Sequence, residues 1–324
     1  MDSKIWFWIF FNVFVLIMLA IDLGVFNRKA HEIRMKESLV WSGVWISLAL
    51  LFNVGLYFFY TPPAGTSQFE SAMQFFTGYI IEKSLSVDNI FVFLLVFSYF
   101  KVPAKYQHKV LFWGIVGALI LRAIFIFAGV ALINQFSFVI YIFGIFLIFT
   151  GIKLATEKDK EIHPDKNIVV KLFKKFFKFI PEFREDKFFI REKGKVTATL
   201  LFLVLIVIET TDVIFAVDSI PAILAVTQDS FIVYSSNVFA ILGLRALYFA
   251  LAGLMQLFHY LHYGLAAILV LVGIKMLVNH YFSEKIISTE LSLILILLIL
   301  IISVITSIKK PRKDIKPPVS IETK

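Results

Sequence analysis

The sequence predicts an all-α fold, a polytopic membrane helical bundle of about nine transmembrane helices that contains two inverted three-helix repeats. Three observations predict it. Hydrophobic residues make up 59% of the 324 positions, and the mean hydropathy is +0.86. Apolar runs of about 20 residues recur along the chain, the length that crosses a roughly 30 Å hydrocarbon layer. Three short motifs also occur twice, in the same order.

Taken in order, the expected spans cover residues 5–26, 39–60, 70–100, 109–132, 136–154, 197–226, 231–256, 261–280 and 289–308. The first is longer than a usual signal-peptide apolar region, carries Asp22 near its end and lacks a small-residue cleavage site, so a retained helix is expected. Lys and Arg gather in alternate connections: Arg28, Lys29, Arg34 and Lys36; Lys101, Lys105 and Lys109; the segment 155–196; and Lys309, Lys310, Arg312, Lys313 and Lys316. Residues 61–69, 133–135 and 227–230 carry neither, and 281–288 carries only Lys285. Positive residues mark the cytoplasmic side of a membrane. A multi-pass protein of a bacterial inner membrane is therefore expected, its N-terminus outside and its C-terminus cytoplasmic.

The motifs divide the chain further. Glu82-Lys83-Ser84-Leu85-Ser86-Val87-Asp88-Asn89-Ile90 is echoed by Asp212-Val213-Ile214-Phe215-Ala216-Val217-Asp218-Ser219-Ile220, Leu121-Arg122-Ala123 by Leu244-Arg245-Ala246, and Gly151-Ile152-Lys153 by Gly273-Ile274-Lys275. A unit with an odd number of spans re-enters the membrane from the opposite side, so the copies are inverted. The expected organisation is two N-terminal transmembrane helices over 1–69, a first repeat over 70–154, a basic cytoplasmic loop over 155–196, a second repeat over 197–281, a last helix over 282–308 and a disordered basic tail over 309–324. Within the loop, Lys171 to Ile180 reads as an amphipathic interfacial stretch drawn to anionic lipid.

Carboxylates inside lipid cost roughly 2.5 kcal/mol or more each at the bilayer centre, so five of them point to a site. They are Glu82, Asp88, Glu209, Asp212 and Asp218, with Asn89, Ser86, Ser219, Thr210, Thr211 and the Val217 carbonyl as further oxygen ligands. Acids six residues apart stand about 120° apart on a regular helix, so a break or unwound turn is expected between Glu82 and Asp88. Pro221 is expected to free the Val217 carbonyl. With no Cys, a metal site must use oxygen or imidazole nitrogen, and hard oxygen ligands suit manganese, magnesium or calcium. Against the five acids, Lys83, Arg122 and Arg245 leave about two negative charges, enough for one divalent ion if every acid is ionised. Arg122 and Arg245 read equally as partners of the acids, balancing or gating them, and as helix anchors. Lys153 and Lys275 read as snorkelling side chains, Lys83 as facing lipid or a loop, and Asn237 as a further ligand or a helix-to-helix hydrogen bond.

These residues resemble a known family. The stretch from Glu82 to Val92 and the string Glu209-Thr210-Thr211-Asp212 through Phe215-Ala216-Val217-Asp218-Ser219-Ile220-Pro221 are similar to the TerC family of integral membrane proteins, and within it to the Alx-type manganese exporters. The family resembles the LysE superfamily. The resemblance implies export of manganese(II) as the transported ion, a cation site on the five acids, and relatives linked to alkaline-pH response, tellurite resistance and metal loading of secreted enzymes. The expected function is a transporter exporting a divalent cation by alternating access, with protons competing for the carboxylates. The alternative is an accessory membrane protein that assists insertion or metallation of exported proteins through a secretion-machinery partner. An enzyme is not expected: no nucleophile motif, phosphate loop or G-x-G-D signature accompanies the acids. No organic cofactor and no nucleic acid are expected, the expected partners are the divalent ion and the lipid bilayer, and no oligomeric state is read from the sequence.

Overall fold

The computed structural model describes residues 3–26, 35–156, 179–192, 195–252, 260–282 and 284–309, and each of the nine apolar segments expected above is helical over most of its described length, the one over 197–226 opening in a strand. The helices are α1 (Ser3–Phe26), α2 (Met35–Phe59), α3 (Gln68–Tyr99), α4 (Ala104–Gln135), α5 (Val139–Thr156), α6 (Leu200–Leu224), α7 (Ser230–Leu242), α8 (Leu244–Ala252), α9 (Leu261–Tyr281) and α10 (Thr289–Lys309). Six of them, α2, α4, α5, α6, α9 and α10, are long and apolar enough to cross a membrane; α7 and α8, bent by 40° at Gly243, make a seventh if they form one span. α1 has a shorter apolar stretch, Ile5–Ile21, and α3 is long but interrupted by Glu82, Lys83 and Asp88.

Local chemistry sets the helix ends. A turn with Gly65 at φ +85° precedes α3, and Ser67 then caps it by accepting from the Glu70 amide at 3.0 Å. Asp229 caps α7 by accepting from the amides of Phe231 and Ile232 at 3.0 and 3.4 Å. Each cap satisfies amides that have no partner within the helix.

The expected break in α3 does not occur. The helix runs unbroken from Gln68 to Tyr99, and two of its hydroxyls bond to its own backbone: Thr77 donates to the Met73 carbonyl at 2.7 Å and Ser84 to the Ile80 carbonyl at 2.6 Å. α6 continues through Pro221 to Leu224, and Pro221 has no N–H to donate to the Val217 carbonyl one turn back. The break falls instead at Gly243, inside the span expected over 231–256.

The basic segment 155–196 holds a short antiparallel hairpin that hydropathy does not reveal, β1 (Phe189–Glu192) with β2 (Lys195–Ala198), pairing Phe189 with Ala198 and Glu192 with Lys195. It packs on α6 through Phe189 and Phe202, whose rings lie 4.3 Å apart. Most of the expected amphipathic stretch, 171–178, and the tail beyond Lys309 lie outside the described residues.

Helix packing centres on α3, α4, α6 and α7. α4 packs along α6, α3 along both α7 and α6, and α5 along α9. Phenylalanine fills the junction on one side, with Phe52, Phe75 and Phe231 all against or near Phe239 of α7, the Phe52 and Phe239 rings 4.9 Å apart. α1 is tied to α7 by the Tyr234 hydroxyl donating to Asn12 Oδ1 at 3.1 Å. This packing places the two acidic cassettes side by side, on α3 and α6.

Candidate functional site

A polar centre lies where α3, α4, α6 and α7 meet. Its middle is the guanidinium of Arg122 on α4, 2% exposed. Glu82 of α3 pairs with Arg122 Nη1, and Asp212 of α6 takes a two-point contact, Oδ2 from Nε at 3.3 Å and Oδ1 from Nη2 at 3.2 Å. Nη1 also donates to Ser219 Oγ at 3.3 Å and to Asn237 Oδ1 at 3.2 Å. Asn237 of α7 in turn donates from Nδ2 to Glu82 Oε2 at 3.3 Å. Both oxygens of each carboxylate are therefore engaged, and four helices are joined through one side chain.

Such an arrangement is what burial demands. An ion pair removed from water holds only when its geometry is good and further hydrogen bonds satisfy the remaining lone pairs. A planar guanidinium with five N–H donors meets that condition where an ammonium would not. Of the two readings left open for Arg122, pairing with the acids is the one observed, and it also anchors the helices. Asn237 makes the helix-to-helix hydrogen bond.

Beside the guanidinium is a cavity of about 50 Å³. Its polar lining is Asn89 of α3, Arg122, Thr150 of α5, and Asp218 and Ser219 of α6; leucines and Phe215 close the rest. Thr150 donates to Asp218 Oδ1 at 3.3 Å. Among the described residues, Asn89 Oδ1 is buried with no hydrogen-bond partner, and so is Ser86 Oγ. Roughly 10–15 Å³ of such space holds one water, so the cavity has room for an ion with part of its hydration shell.

The other expected residues fall around this centre. Glu209, one turn before Asp212, presses on Gly117 of α4, and its Oε2 is buried without a hydrogen bond to any described residue. Thr210 and Thr211 turn inward on their own helix, donating to the Ile206 and Val207 carbonyls, both at 2.7 Å. Asp88 lies on α3, and its side chain is outside those described. Arg245, buried, opens α8 just past the bend. Among the described residues, no three His, Asp or Glu side chains are grouped as a metal-holding cluster.

Two lysines differ from expectation. Lys275 does not snorkel; it is 3% exposed, and among the described residues its Nζ has no hydrogen-bond partner. Lys83 does not face lipid or a loop but donates to the Ala240 carbonyl of α7 at 3.2 Å. Thr150 was not anticipated: its partner Asp218 lies 68 positions away, and no local pattern signals the pairing.

Residues 67–314, which include both cassettes, match the family described as Integral membrane protein TerC family. The chain belongs to the TerC family. It is 49% identical over 305 residues to an uncharacterized membrane protein of Myxococcus xanthus, covering 94% of this chain and 92% of that one. It is 50% identical over 277 residues to a protein of Escherichia coli K12 named "Putative membrane-bound redox modulator Alx", covering 85% of this chain and 86% of that one. A membrane protein of Rickettsia bellii is 42% identical over 299 residues. No solved structure matches. Family and helices together make this TerC protein a multi-pass integral membrane protein, similar to Alx.

Proposed function

We propose that this TerC protein exports a divalent metal cation, manganese(II) foremost, across the bacterial inner membrane by alternating access. The observation that carries the reading is the meeting of carboxylates from both cassettes, Glu82 and Asp212, on one buried guanidinium beside a polar cavity. Buried acids facing a bundle interior mark ion pathways far more often than packing. The cavity offers amide, hydroxyl and carboxylate oxygens from Asn89, Thr150, Ser219 and Asp218, a donor set suited to a hard cation. Asp88, Glu209 and the two acids now held by Arg122 would complete the ligands as the helices move. Protons compete for the same carboxylates and are the natural counter-ion.

In this reading nine helices span the membrane, α1 and α3 joining the seven, and α3–α5 and α6–α9 are inverted repeats. The packing supports a two-fold relation, since exchanging the units turns the α3–α7 pair into the α6–α4 pair, and both pairs occur. The distribution of Lys and Arg supports an external N-terminus and a cytoplasmic C-terminus.

The name of the Alx relatives speaks of redox modulation. Without a cysteine this chain has no thiol of its own for such chemistry, so a redox effect would pass through a redox-active ion or a partner. That consideration also keeps the accessory reading in play, in which the chain serves exported proteins through a secretion partner.

Flux into liposomes holding only the purified protein separates the readings. Manganese-driven transport exceeding that of magnesium, calcium and zinc is the expected result. Absence of any metal-dependent flux, together with tight copurification of a translocation component, would replace export by the accessory role.

A further inference from the structure

Arg122 does more than neutralise acids at rest. Resting on the reading of the chain as a divalent-cation carrier, we infer that Arg122 is a tethered competitor for the cation site and sets its selectivity, rejecting monovalent ions and yielding only to doubly charged ones. Each of the four oxygens of Glu82 and Asp212 already accepts a hydrogen bond, three from Arg122 and one from Asn237, so an ion that binds both carboxylates at close range competes with the guanidinium for them.

The competition is uneven. A side chain fixed next to its partner acts at a high effective concentration, at least millimolar and higher for so short a tether. Sodium or potassium brings the same single charge, so at equal distance it gains no more Coulomb energy than Arg122 does, and it must also shed water and forgo the directed N–H bonds. A divalent ion doubles the Coulomb term at the same distance. That surplus, less the divalent ion's larger dehydration cost, is what dislodges the guanidinium. The charge of Arg122 is permanent, because the group does not lose its proton in proteins, so the competitor itself is the same at every pH. The cavity of about 50 Å³ that Arg122 lines gives the displaced group and the entering ion room to rearrange.

The test is manganese binding to the purified full chain, with sodium chloride exchanged for choline chloride at constant ionic strength so that screening is unchanged. Wild type should bind manganese equally in both salts. Arg122→Gln, which retains hydrogen-bonding capacity but no charge, should become sodium-sensitive, manganese affinity falling about tenfold in sodium, and should take up labelled sodium. Arg122→Lys, with a charge but no two-point contact to Asp212, should be intermediate. Should Arg122→Gln fail to fold, the double change Glu82→Gln/Arg122→Gln removes one charge of each sign and carries the same comparison through Asp212. Manganese binding by wild type with a sodium-insensitive, sodium-impermeable neutral variant overturns the selectivity role and leaves the carrier intact. No manganese binding or transport by wild type overturns the carrier reading itself, whatever the variants do.

Discussion

Gly144 of α5 and Gly273 of α9 meet backbone to backbone: a methyl group on Gly273 would stand 2.8 Å from the Gly144 carbonyl oxygen, and one on Gly144 would stand 3.3 Å from the Gly273 carbonyl oxygen. The repeated Gly-Ile-Lys motif matches Gly151 with Gly273, and seven residues earlier matches Gly144 with Ala266. A two-fold relation then maps the Gly144–Gly273 contact onto Ala266–Gly151. That second approach is present, since a methyl on Gly151 would lie 2.7 Å from the Ala266 carbonyl oxygen. Small residues let helices in lipid approach closely, and here they do so at positions a symmetric seam requires.

Gly273→Ala should therefore destabilise the protein by about 1–3 kcal/mol, because the obstacle is backbone and cannot swing aside. Gly55→Ala is the control. A methyl at Gly55 meets nothing within 4 Å, so in mid-helix it should be neutral or stabilise by about 0.5–1 kcal/mol. Thermal unfolding of the purified protein in detergent measures both.

If the protein exports manganese through the proposed path, Asp218→Asn and Asp88→Asn should each lower that export at least about tenfold and raise cellular manganese, since each removes a charge that no isosteric amide restores. Unchanged cellular manganese in both variants would count against export. Thr150→Val extends the test to the hydroxyl that donates to Asp218, and a loss of affinity with intact folding is expected.

Much of this site was legible in the chain. The cassettes announced themselves because acids inside apolar runs are costly, and their repetition implied two elements meeting. What the chain hid was the helix geometry. Ser84 suggests unwinding only if its hydroxyl leaves the backbone, whereas it bonds to Ile80, and the bend came at Gly243, where an isolated glycine in an apolar run gives no such signal. Convergence was reached by packing α3 against α6 around Arg122, not by unwinding either helix.

Glu209 offers a test of the pathway apart from Arg122. A methyl on Gly117 would overlap the Glu209 carboxylate, which is the end of a flexible side chain and can move. Gly117→Ala should leave stability nearly unchanged and reduce manganese affinity, as should Glu209→Gln. A Gly117→Ala protein with wild-type affinity and flux would remove Glu209 from the path.

Just past the end of α2 at Phe59, and so outside the span that helix forms, the Tyr60 hydroxyl donates to Asp229 Oδ2 at 2.7 Å, and burial first, then the adjacent carboxylate, pushes the Tyr60 phenol above its ordinary value of 10.0. The folded protein thus keeps a proton that the unfolded chain loses above about pH 10. Stability from this group is fully present below that pH and is lost as pH rises beyond it. Tyr60→Phe should cost about 1 kcal/mol near neutral pH and flatten the alkaline fall in melting temperature. Equal alkaline slopes in the two proteins would assign the fall to other groups.

Lys83 and Gly243 form the last coupled pair. The Ala240 carbonyl lies in the final turn of α7, where helix carbonyls lack donors of their own, and the Lys83 ammonium supplies one while facing the negative end of the helix. A methyl on Gly243 would stand 2.9 Å from Lys83 Nζ and 3.1 Å from Trp45 Cβ, so the glycine admits both side chains to the bend. Lys83→Met removes the donor and should cost about 1–3 kcal/mol, the penalty of a buried carbonyl left unpaired. Gly243→Ala should act through the same bond by pushing the ammonium away. The two changes combined should then cost less than their sum, and a double-mutant cycle on melting stability checks it. Strict additivity would mean that the bend at Gly243 and the Lys83 contact are independent.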